Sequence, residues 1–302
     1  GYNGAIYVNQ TRSTFILNGG KICDNVNRSQ SIYYYLGSGT LFNNGGNLMI
    51  LGGEIHGNLG RNVVYSTGKT TITGGRFTNN LAGDSTNNQW GSGVIHVNGG
   101  TTNIGGTGAN PVVIRGNTAT GEGGAIYLES GVVYLSHAEL KNNKATTYGG
   151  AIYQNGGNLV VTSGTEISGN TAGSKGGAVY QNGGTAQILS GTINNNRAPV
   201  GGGIAQTATG AACTVFDGAK LYENVSTVSN TGNDIYSKYE GTDSWDMVQN
   251  KSKMTLEAVN NMRLPQYNVW RDDAYSGENY GESKTLIKGM CLTGAINQSN
   301  NL

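Results

Sequence analysis

A short pattern recurs along the chain and constrains its fold more than any other feature. The sequence GGAIY begins at residue 123 and again at 149, and GGAVY begins at 176. Looser copies of the pattern occur elsewhere in the chain, and each copy has an apolar residue at its centre. These residues are Ile6, Leu41, Val64, Ile95, Ile126, Ile152, Val179, Ile204 and Ile235. Self-similarity at intervals of 20 to 50 residues is typical of proteins built from stacked repeats.

A second signature follows each copy except the last: an apolar residue, two further residues, and then Asn. Its asparagines are Asn25, Asn58, Asn80, Asn117, Asn143, Asn170, Asn196 and Asn224. If the repeats stack, these side chains form one column, and their amides can hydrogen-bond along the stack as in other stacked β structures. Asn also tolerates the left-handed backbone conformation that sharp corners require. The pattern therefore predicts an Asn ladder at one corner of every repeat.

Short runs of alternating apolar and polar residues lie between the two signatures, for example NLMIL from residue 47 and NLVVT from 158. Such alternation indicates a strand with one buried face. Each repeat then offers three short strands, which cannot bury an apolar face alone but can do so when stacked. We therefore predict an all-β parallel β-helix of about nine coils, about 40 Å long at the usual strand spacing.

Composition supports this fold and excludes other classes. The chain has 51 Gly among 302 residues, more than twice the usual ~7%, and its charged residues make up only 12%. A net charge of +1 without a basic cluster gives no footprint for nucleic acid. No apolar run approaches the ~20 residues of a membrane-spanning helix, so no membrane insertion is expected of this segment. Three cysteines are too few for a disulfide framework.

The repeat pattern also divides the chain. Residues 1–239 are predicted to form the β-helix, and the opening GYNGAIY already lies inside a repeat, as expected of a segment from a longer chain. Residues 240–302 contain more charge and less Gly. A solenoid end exposes apolar side chains and unpaired strand edges, so we interpret 240–302 as a C-terminal cap. A short helix is predicted within it near 252–262.

The paired signatures resemble the GGAI and FxxN motifs of the polymorphic outer membrane protein repeat. The resemblance covers about residues 3–236, with Ile or Leu in place of Phe in most copies. That family comprises bacterial surface adhesins. The resemblance therefore implies a right-handed β-helix and a place on the bacterial cell surface.

One outward column of side chains is a candidate binding surface. It follows the central apolar column and is mostly aromatic: Tyr7, Phe42, Tyr65, His96, Tyr127, Tyr153, Tyr180, Ala205 and Tyr236. Stacked aromatic rings can form a strip for sugars or protein, with Tyr127, Tyr153 and Tyr180 as its candidate residues. The alternative is that these rings pack against their cross-strand neighbours.

Two long turns provide a second candidate site. The turns 26–39 and 81–93 follow the Asn column and flank the shortest turn, 59–62. The first turn contains Tyr33, Tyr34 and Tyr35, and the second contains Asp84, Asn87, Asn88, Gln89 and Trp90. Loops on rigid scaffolds commonly carry function, and Tyr and Trp dominate recognition hot spots. We predict that the two turns form a binding cleft; the alternative is that they only shield the helix.

Other polar groups lead to weaker hypotheses. Lys21, Glu54 and Arg76 alternate in sign along a second outward column, whereas Glu139 and Glu166 are like-charged neighbours. That pair could hold a cation or act as acid and base, unless Lys141 compensates it. Cys23 and His56 occupy equivalent positions, but two ligands do not make a metal site. The insertion 105–111 lacks the Lys and Ser/Thr of a phosphate loop and is interpreted as a turn. No catalytic residue, metal ligand or cofactor is assigned.

These observations favour a bacterial cell-surface or secreted binding protein, adhesin-like, that recognises a host macromolecule. A mucosal glycoprotein, a glycan or an immunoglobulin are all possible ligands. A polysaccharide lyase or hydrolase is the first alternative, but such chemistry needs clustered carboxylates. A passive stalk is the second, and the unequal turn lengths count against it.

Overall fold

The computed structural model describes residues 5–27, 39–84, 89–207, 211–228, 232–237, 253–257, 271–272, 285–286 and 290–293. Every regular element within these ranges is a β-strand. The predicted all-β class is therefore confirmed.

The strands are short, and most of them lie before residue 240. The first ten are β1 (Ile6–Asn9), β2 (Thr14–Cys23), β3 (Gly39–Asn44), β4 (Asn47–His56), β5 (Leu59–Gly60), β6 (Asn62–Ser66), β7 (Lys69–Ile72), β8 (Arg76–Thr78), β9 (Leu81–Asp84) and β10 (Gln89–Trp90). The next ten are β11 (Ile95–Gly105), β12 (Val112–Arg115), β13 (Thr118–Ala119), β14 (Ile126–Ser136), β15 (Ala138–Lys141), β16 (Lys144–Ala145), β17 (Ile152–Gln154), β18 (Asn158–Val161), β19 (Glu166–Ser168) and β20 (Thr171–Ala172). The last eleven are β21 (Val179–Gln181), β22 (Thr185–Asn194), β23 (Arg197–Ala198), β24 (Ile204–Gln206), β25 (Ala212–Tyr222), β26 (Val225–Ser226), β27 (Ile235–Ser237), β28 (Lys253–Glu257), β29 (Arg271–Asp272), β30 (Thr285–Leu286) and β31 (Met290–Thr293).

Each repeat unit, taken from one central apolar residue to the next, pairs in parallel with the unit that follows it. In the first ladder, Ile152 lies beside Ile126 on one side and Val179 on the other. A second ladder joins the alternating runs, as β14 with β18 and β18 with β22. A third joins the strands that precede the Asn signature, as β12 with β15 and β15 with β19. The predicted parallel pairing between successive units is confirmed.

A fourth ladder was not predicted from the sequence. It lies just after the Asn column and runs through β5, β9, β13, β16, β20, β23 and β26, which have two residues each except the four-residue β9. Its inward position holds the small residues of the repeat, so that Ala119, Ala145 and Ala172 pair in sequence and are buried. Two residues are too few to show alternation, which explains why the sequence pattern did not reveal this ladder.

One apolar core runs through the stack. The central apolar residues from Leu41 to Ile235 are at most 1% exposed and belong to a single cluster. Cys213 lies in the same cluster, and its burial raises the pKa of the thiol to about 12. Cys213 is thus a small inward-facing residue of the core.

The Asn ladder forms as predicted. Each amide donates from Nδ2 to Oδ1 of the next Asn, over distances of 2.8–3.0 Å from Asn25 to Asn224. Within the row, each Oδ1 also accepts the backbone N–H of the preceding Asn, and each Nδ2 also donates to a backbone carbonyl one unit back. Both donors and both acceptor sites of an interior amide are therefore used.

The left-handed conformation belongs to the residue before each ladder Asn, and not to the Asn itself. This position holds Asn or Gly in most units, with φ near +55° at Asn142 and +66° at Gly116 and Gly169. A Cβ on Gly116 would lie 2.8 Å from Oδ1 of Asn79, one unit back. The side chain of Asn79 thus occupies space that is left open because Gly116, in the next unit, has no side chain. The expectation that the ladder Asn itself supplies the left-handed conformation is therefore wrong; the residue before it does so.

The stack extends past residue 240. Strand β28 pairs in parallel with β25, so that Met254 lies beside Cys213. The predicted helix near 252–262 is therefore wrong over 253–257, which is a strand. Strands β30 and β31 pair antiparallel with β28 and β27, respectively. The division of the chain at 239/240 stays a prediction.

Candidate functional site

The two long turns leave the stack from the fourth ladder. At the first turn, Val26 bridges Leu59 in parallel and the backbone N–H of Asn27 donates to the Leu59 carbonyl at 2.8 Å. At the second, β9 continues the ladder from the other side, with Leu81 beside Leu59. The described ends of both turns therefore flank the short strand β5, as the sequence indicated.

The second long turn has a β-hairpin stem. Strand β10 returns antiparallel to β9, with Gln89 opposite Asp84 and Trp90 opposite Gly83. The candidate residues Asp84, Gln89 and Trp90 are therefore on the stem. The candidates Asn87 and Asn88 lie outside the described residues. So do Tyr33, Tyr34 and Tyr35 of the first turn.

The outward aromatic column is continuous, and several of its rings are largely buried. Neighbouring rings lie 4.6–5.5 Å apart from Tyr7 to Tyr180. Tyr153 and Tyr180 are only 9% and 6% exposed, and Tyr127 is half-buried. Burial is the largest cause that raises the pKa of the Tyr127 and Tyr153 hydroxyls. The rings thus pack on one another as in the alternative interpretation, and their part in binding stays a prediction.

Residues from the corner before the first ladder cover the tyrosines. The ring of Tyr148 stacks on Tyr180 at 4.8 Å, and Val200 packs against the same cluster. The Tyr180 hydroxyl lies 2.6 Å from Oγ1 of Thr207, and the Tyr65 hydroxyl accepts from Asn98 at 2.9 Å. The aromatic column therefore has a covered side and a polar edge. The pattern of one strand could not show this, because the cover comes from a different segment of each unit.

His96 interrupts the tyrosines and forms a polar cluster with Glu129 and Asn62. Its ring stacks between Tyr65 and Tyr127, at 4.9 and 4.6 Å. The Nδ2 group of Asn62, which also donates to the Ser92 carbonyl, lies 3.3 Å from Nδ1 of His96. An amide nitrogen can only donate, so Nδ1 accepts and Nε2 carries the hydrogen. Nε2 then donates to Oε2 of Glu129 at 2.9 Å.

This hydrogen bond makes stability depend on pH. The bond from His96 is the largest cause that lowers the pKa of the Glu129 carboxyl. A lowered acid pKa stabilises the fold above the unfolded-state value of about 4.3, and the gain is lost as pH falls through the lowered pKa. Because the Glu129 side chain is 41% exposed, solvent screening limits the effect to about 0.5 kcal/mol.

We therefore expect Glu129→Gln to lower the melting temperature above pH 5, with the difference from the parent decreasing as pH falls below the unfolded-state pKa of about 4.3. Thermal melts of both proteins across this range provide the measurement. In a His96→Phe background, which keeps a stacked ring but removes the N–H donor, the same substitution should have no pH-dependent effect. A difference that persists in that background would contradict the assignment.

In the second outward column, charged side chains on neighbouring strands form ion pairs. Nζ of Lys21 lies 2.9 Å from Oε2 of Glu54, as the alternating signs predict. Lys141 contacts both members of the like-charged pair, at 2.8 Å from Glu166 and 3.5 Å from Glu139. Burial lowers the pKa of Lys141, but the hydrogen bond and charge of Glu166 and the charge of Glu139 raise it overall. Of the interpretations left open, the structure supports compensation by Lys141.

No three His, Cys, Asp or Glu side chains in the described part of the chain lie close enough to hold a metal ion. Cys23 and His56 are register partners, as the spacing predicted.

The insertion 105–111 contains a turn in which Thr107 and Asn110 exchange backbone hydrogen bonds of 3.0 and 3.1 Å. The structure brings this insertion close to Glu54, Arg76 and Glu139, which sequence reasoning missed. The signal was that the insertion directly precedes the outward column that holds all three charges.

Comparison with known families gives one match. The model of the Chlamydia polymorphic membrane protein repeat matches residues 111–129, 138–155 and 164–182. The chain thus carries repeats of the polymorphic outer membrane protein type, in agreement with the resemblance seen in its motifs. This repeat indicates a bacterial surface or outer membrane protein. Neither a curated protein nor a solved structure gave a match.

The described residues contain no helix that is long and apolar enough to cross a membrane.

Proposed function

We propose that the chain is a right-handed parallel β-helix that acts as an adhesin-like binding protein, at the bacterial cell surface or secreted from it. Its ligand is a host macromolecule, such as a mucosal glycoprotein, a glycan or an immunoglobulin. The observation that carries this proposal is the pair of long turns. Both turns extend from the fourth ladder, one on each side of β5. The later turns at the same corner are shorter.

The pairing of the strands supports the helical winding. Parallel neighbours need a crossover connection between them. Here the other ladders provide that crossover. Between the paired strands β17 and β21, for example, the chain passes through β18, β19 and β20. Such a chain advances by one strand spacing, about 4.8 Å, for each unit. The right-handed sense rests on the resemblance to the polymorphic outer membrane protein repeat.

The composition of the long turns supports binding. Together they carry three consecutive tyrosines, a Trp and several amides on a scaffold that is rigidly hydrogen-bonded. Aromatic residues supply a large contact area at a low cost in conformational entropy, and Asn and Gln supply adaptable hydrogen bonds. Loops of this kind on a rigid frame favour recognition of a large partner.

Two observations weigh against the alternatives. Cleavage of a polysaccharide needs two carboxyl groups that flank the scissile bond, whereas Glu139 and Glu166 are register partners on neighbouring strands and share Lys141. A passive stalk would need no lengthened turns, yet the 81–93 turn has an ordered hairpin stem.

The proposal is tested by immobilising the protein and measuring what it retains from human mucosal secretions. We expect retention of one glycoprotein or antibody class, with at least a tenfold loss when Tyr33, Tyr34, Tyr35 and Trp90 are changed to Ala, since aromatic anchors dominate such interfaces. Tyr134→Ala is the matched control, because Tyr134 is 44% exposed in the second ladder. Equal retention by the parent and the loop variant would overturn the cleft, and no retention by either would favour the stalk.

A further inference from the structure

A groove lies between the insertion 105–111 and the third ladder. Its volume is about 450 Å³, and it is open to solvent. Residues 109–111 form one wall, and Arg76, Glu54 and Glu139 contribute the charged groups. Nothing in the repeat requires this arrangement, because the other units whose second and third strands are both described join them without such an insertion.

The lining of the groove combines a hydrogen-bonded turn with backbone that carries no side chains. The insertion is closed by the paired backbone hydrogen bonds between Thr107 and Asn110 and by a further bond from the Asn110 N–H to Oγ1 of Thr107 at 3.1 Å. Opposite it, Gly53, Gly74 and Gly75 place no side chain in the space. A Cβ on Gly74 would lie 2.5 Å from the Leu51 carbonyl oxygen. The floor is therefore bare backbone, which a flat polar ligand can approach closely.

The charges of the groove are unequally compensated. Glu54 is paired with Lys21 and Glu139 with Lys141, both cations lying outside the lining. Arg76 contributes to lowering the pKa of Glu54, yet within the described ranges its guanidinium has no hydrogen-bond or ion-pair partner. The side-chain amide of Asn110 also has no partner among the described residues. The groove thus offers one free cation beside carboxylate acceptors and an amide.

We propose that this groove binds a sugar residue that carries a single carboxylate. A guanidinium matches a carboxylate with two parallel hydrogen bonds. The free acceptor positions of Glu54 and Glu139 suit the donated hydrogens of hydroxyl groups, and the amide of Asn110 suits a hydroxyl or an N-acetyl oxygen. Arg76 would therefore fix the charge, and the groups around it would select for a polyhydroxylated ring.

The same observations weigh against other anions. A phosphate or a polyanion carries more negative charge than the single guanidinium of Arg76 can neutralise. An acidic peptide would be anchored by apolar or aromatic pockets, and the groove is lined by glycines, charges, Ala109, Pro111 and Val113, with no aromatic ring. This site is separate from the long turns and does not depend on their proposed function.

The test is an NMR titration of the protein with N-acetylneuraminic acid, glucuronic acid, galactose and an N-acetylated glutamate amide. We expect the two acidic sugars to shift the resonances of residues 74–76 and 109–113, and galactose to bind at least tenfold more weakly. Arg76→Gln should weaken binding of the acidic sugars at least tenfold. Arg115→Gln, which removes the same charge from an exposed position on β12 outside the lining, should leave it unchanged.

Each outcome decides the proposal. A preference for N-acetylneuraminic acid or for glucuronic acid would identify the source of the acidic sugar. Equal binding of galactose, stronger binding of the glutamate amide, or equal weakening by both arginine variants would overturn it. Because the titration does not use the long turns, its failure would leave the loop-binding proposal intact, and the loop variant should bind the acidic sugars normally.

Discussion

Replacing Asn143 by Ala is expected to lower the free energy of unfolding by about 4 kcal/mol, because it leaves several buried polar groups without partners at once. The Asn143 amide accepts from Nδ2 and the backbone N–H of Asn117, and it donates to Asn170 and the Ile114 carbonyl. Asn143 is 1% exposed, so water cannot replace these bonds without opening the stack. An unsatisfied buried donor or acceptor costs about 1–3 kcal/mol.

Denaturant unfolding followed by circular dichroism measures this effect. Asn158→Ala is the matched control, because Asn158 is exposed and makes no side-chain hydrogen bond with any described residue. Its expected effect is within about 0.5 kcal/mol. If the two variants lost similar stability, the buried amide of Asn143 would stabilise the fold no more than the exposed amide of Asn158 does. The assignment of the Asn ladder as a stabilising element would then be wrong.

Replacing Gly150 by Ala is expected to cost about 3 kcal/mol, at the upper end of the range for overpacking. The added methyl group would press against the Gly177 carbonyl oxygen and lie 2.6 Å from the carbonyl carbon of Thr171. Both obstacles are backbone atoms of the next unit, so no side-chain rotation relieves the contact. The two units must separate locally, which weakens the hydrogen bond from the Gly150 N–H to the Gly176 carbonyl, now 2.9 Å long.

Thermal melts of Gly150→Ala and Gly52→Ala compare the same chemical change at two sites. A Cβ on Gly52 meets only the Gly19 nitrogen, at an ordinary 3.8 Å. That variant should be neutral within about 0.5 kcal/mol. A neutral result for Gly150→Ala would show that the spacing between units adjusts freely at this corner.

The repeat made the central features predictable. Spacing alone placed Ile126, Ile152 and Val179 in one buried column and the asparagines in one ladder, since equivalent residues of stacked units must coincide. It could not place the left-handed residue, because Asn142 and Asn143 are adjacent asparagines with the same intrinsic preference. Only the ladder hydrogen bonds decide which of them turns the chain.

The candidate site was less predictable for a related reason. Alternation gives the face of a strand but not what lies over that face. Tyr153 points outward as predicted, yet Tyr148, from the preceding corner, packs over the column. Likewise, the sequence showed the insertion 105–111 only as a turn. It did not show that the insertion and Arg76, which belong to different units, line the same groove. Contacts between segments that are not equivalent in the repeat have no periodic signal in the sequence.

The asparagine row has a direction, and that direction has a consequence. In each amide one Nδ2–H donates to the following unit, so the amide dipoles add along the axis and the described row ends on a donor. There Nδ2 of Asn224 donates to Oδ1 of Asp234 at 2.8 Å. A carboxylate accepts without donating, and negative charge suits the donor end of aligned dipoles, as at the N-terminus of a helix. Within the described residues, Asp234 thus takes the place of a further amide as the acceptor at the C-terminal end of the row.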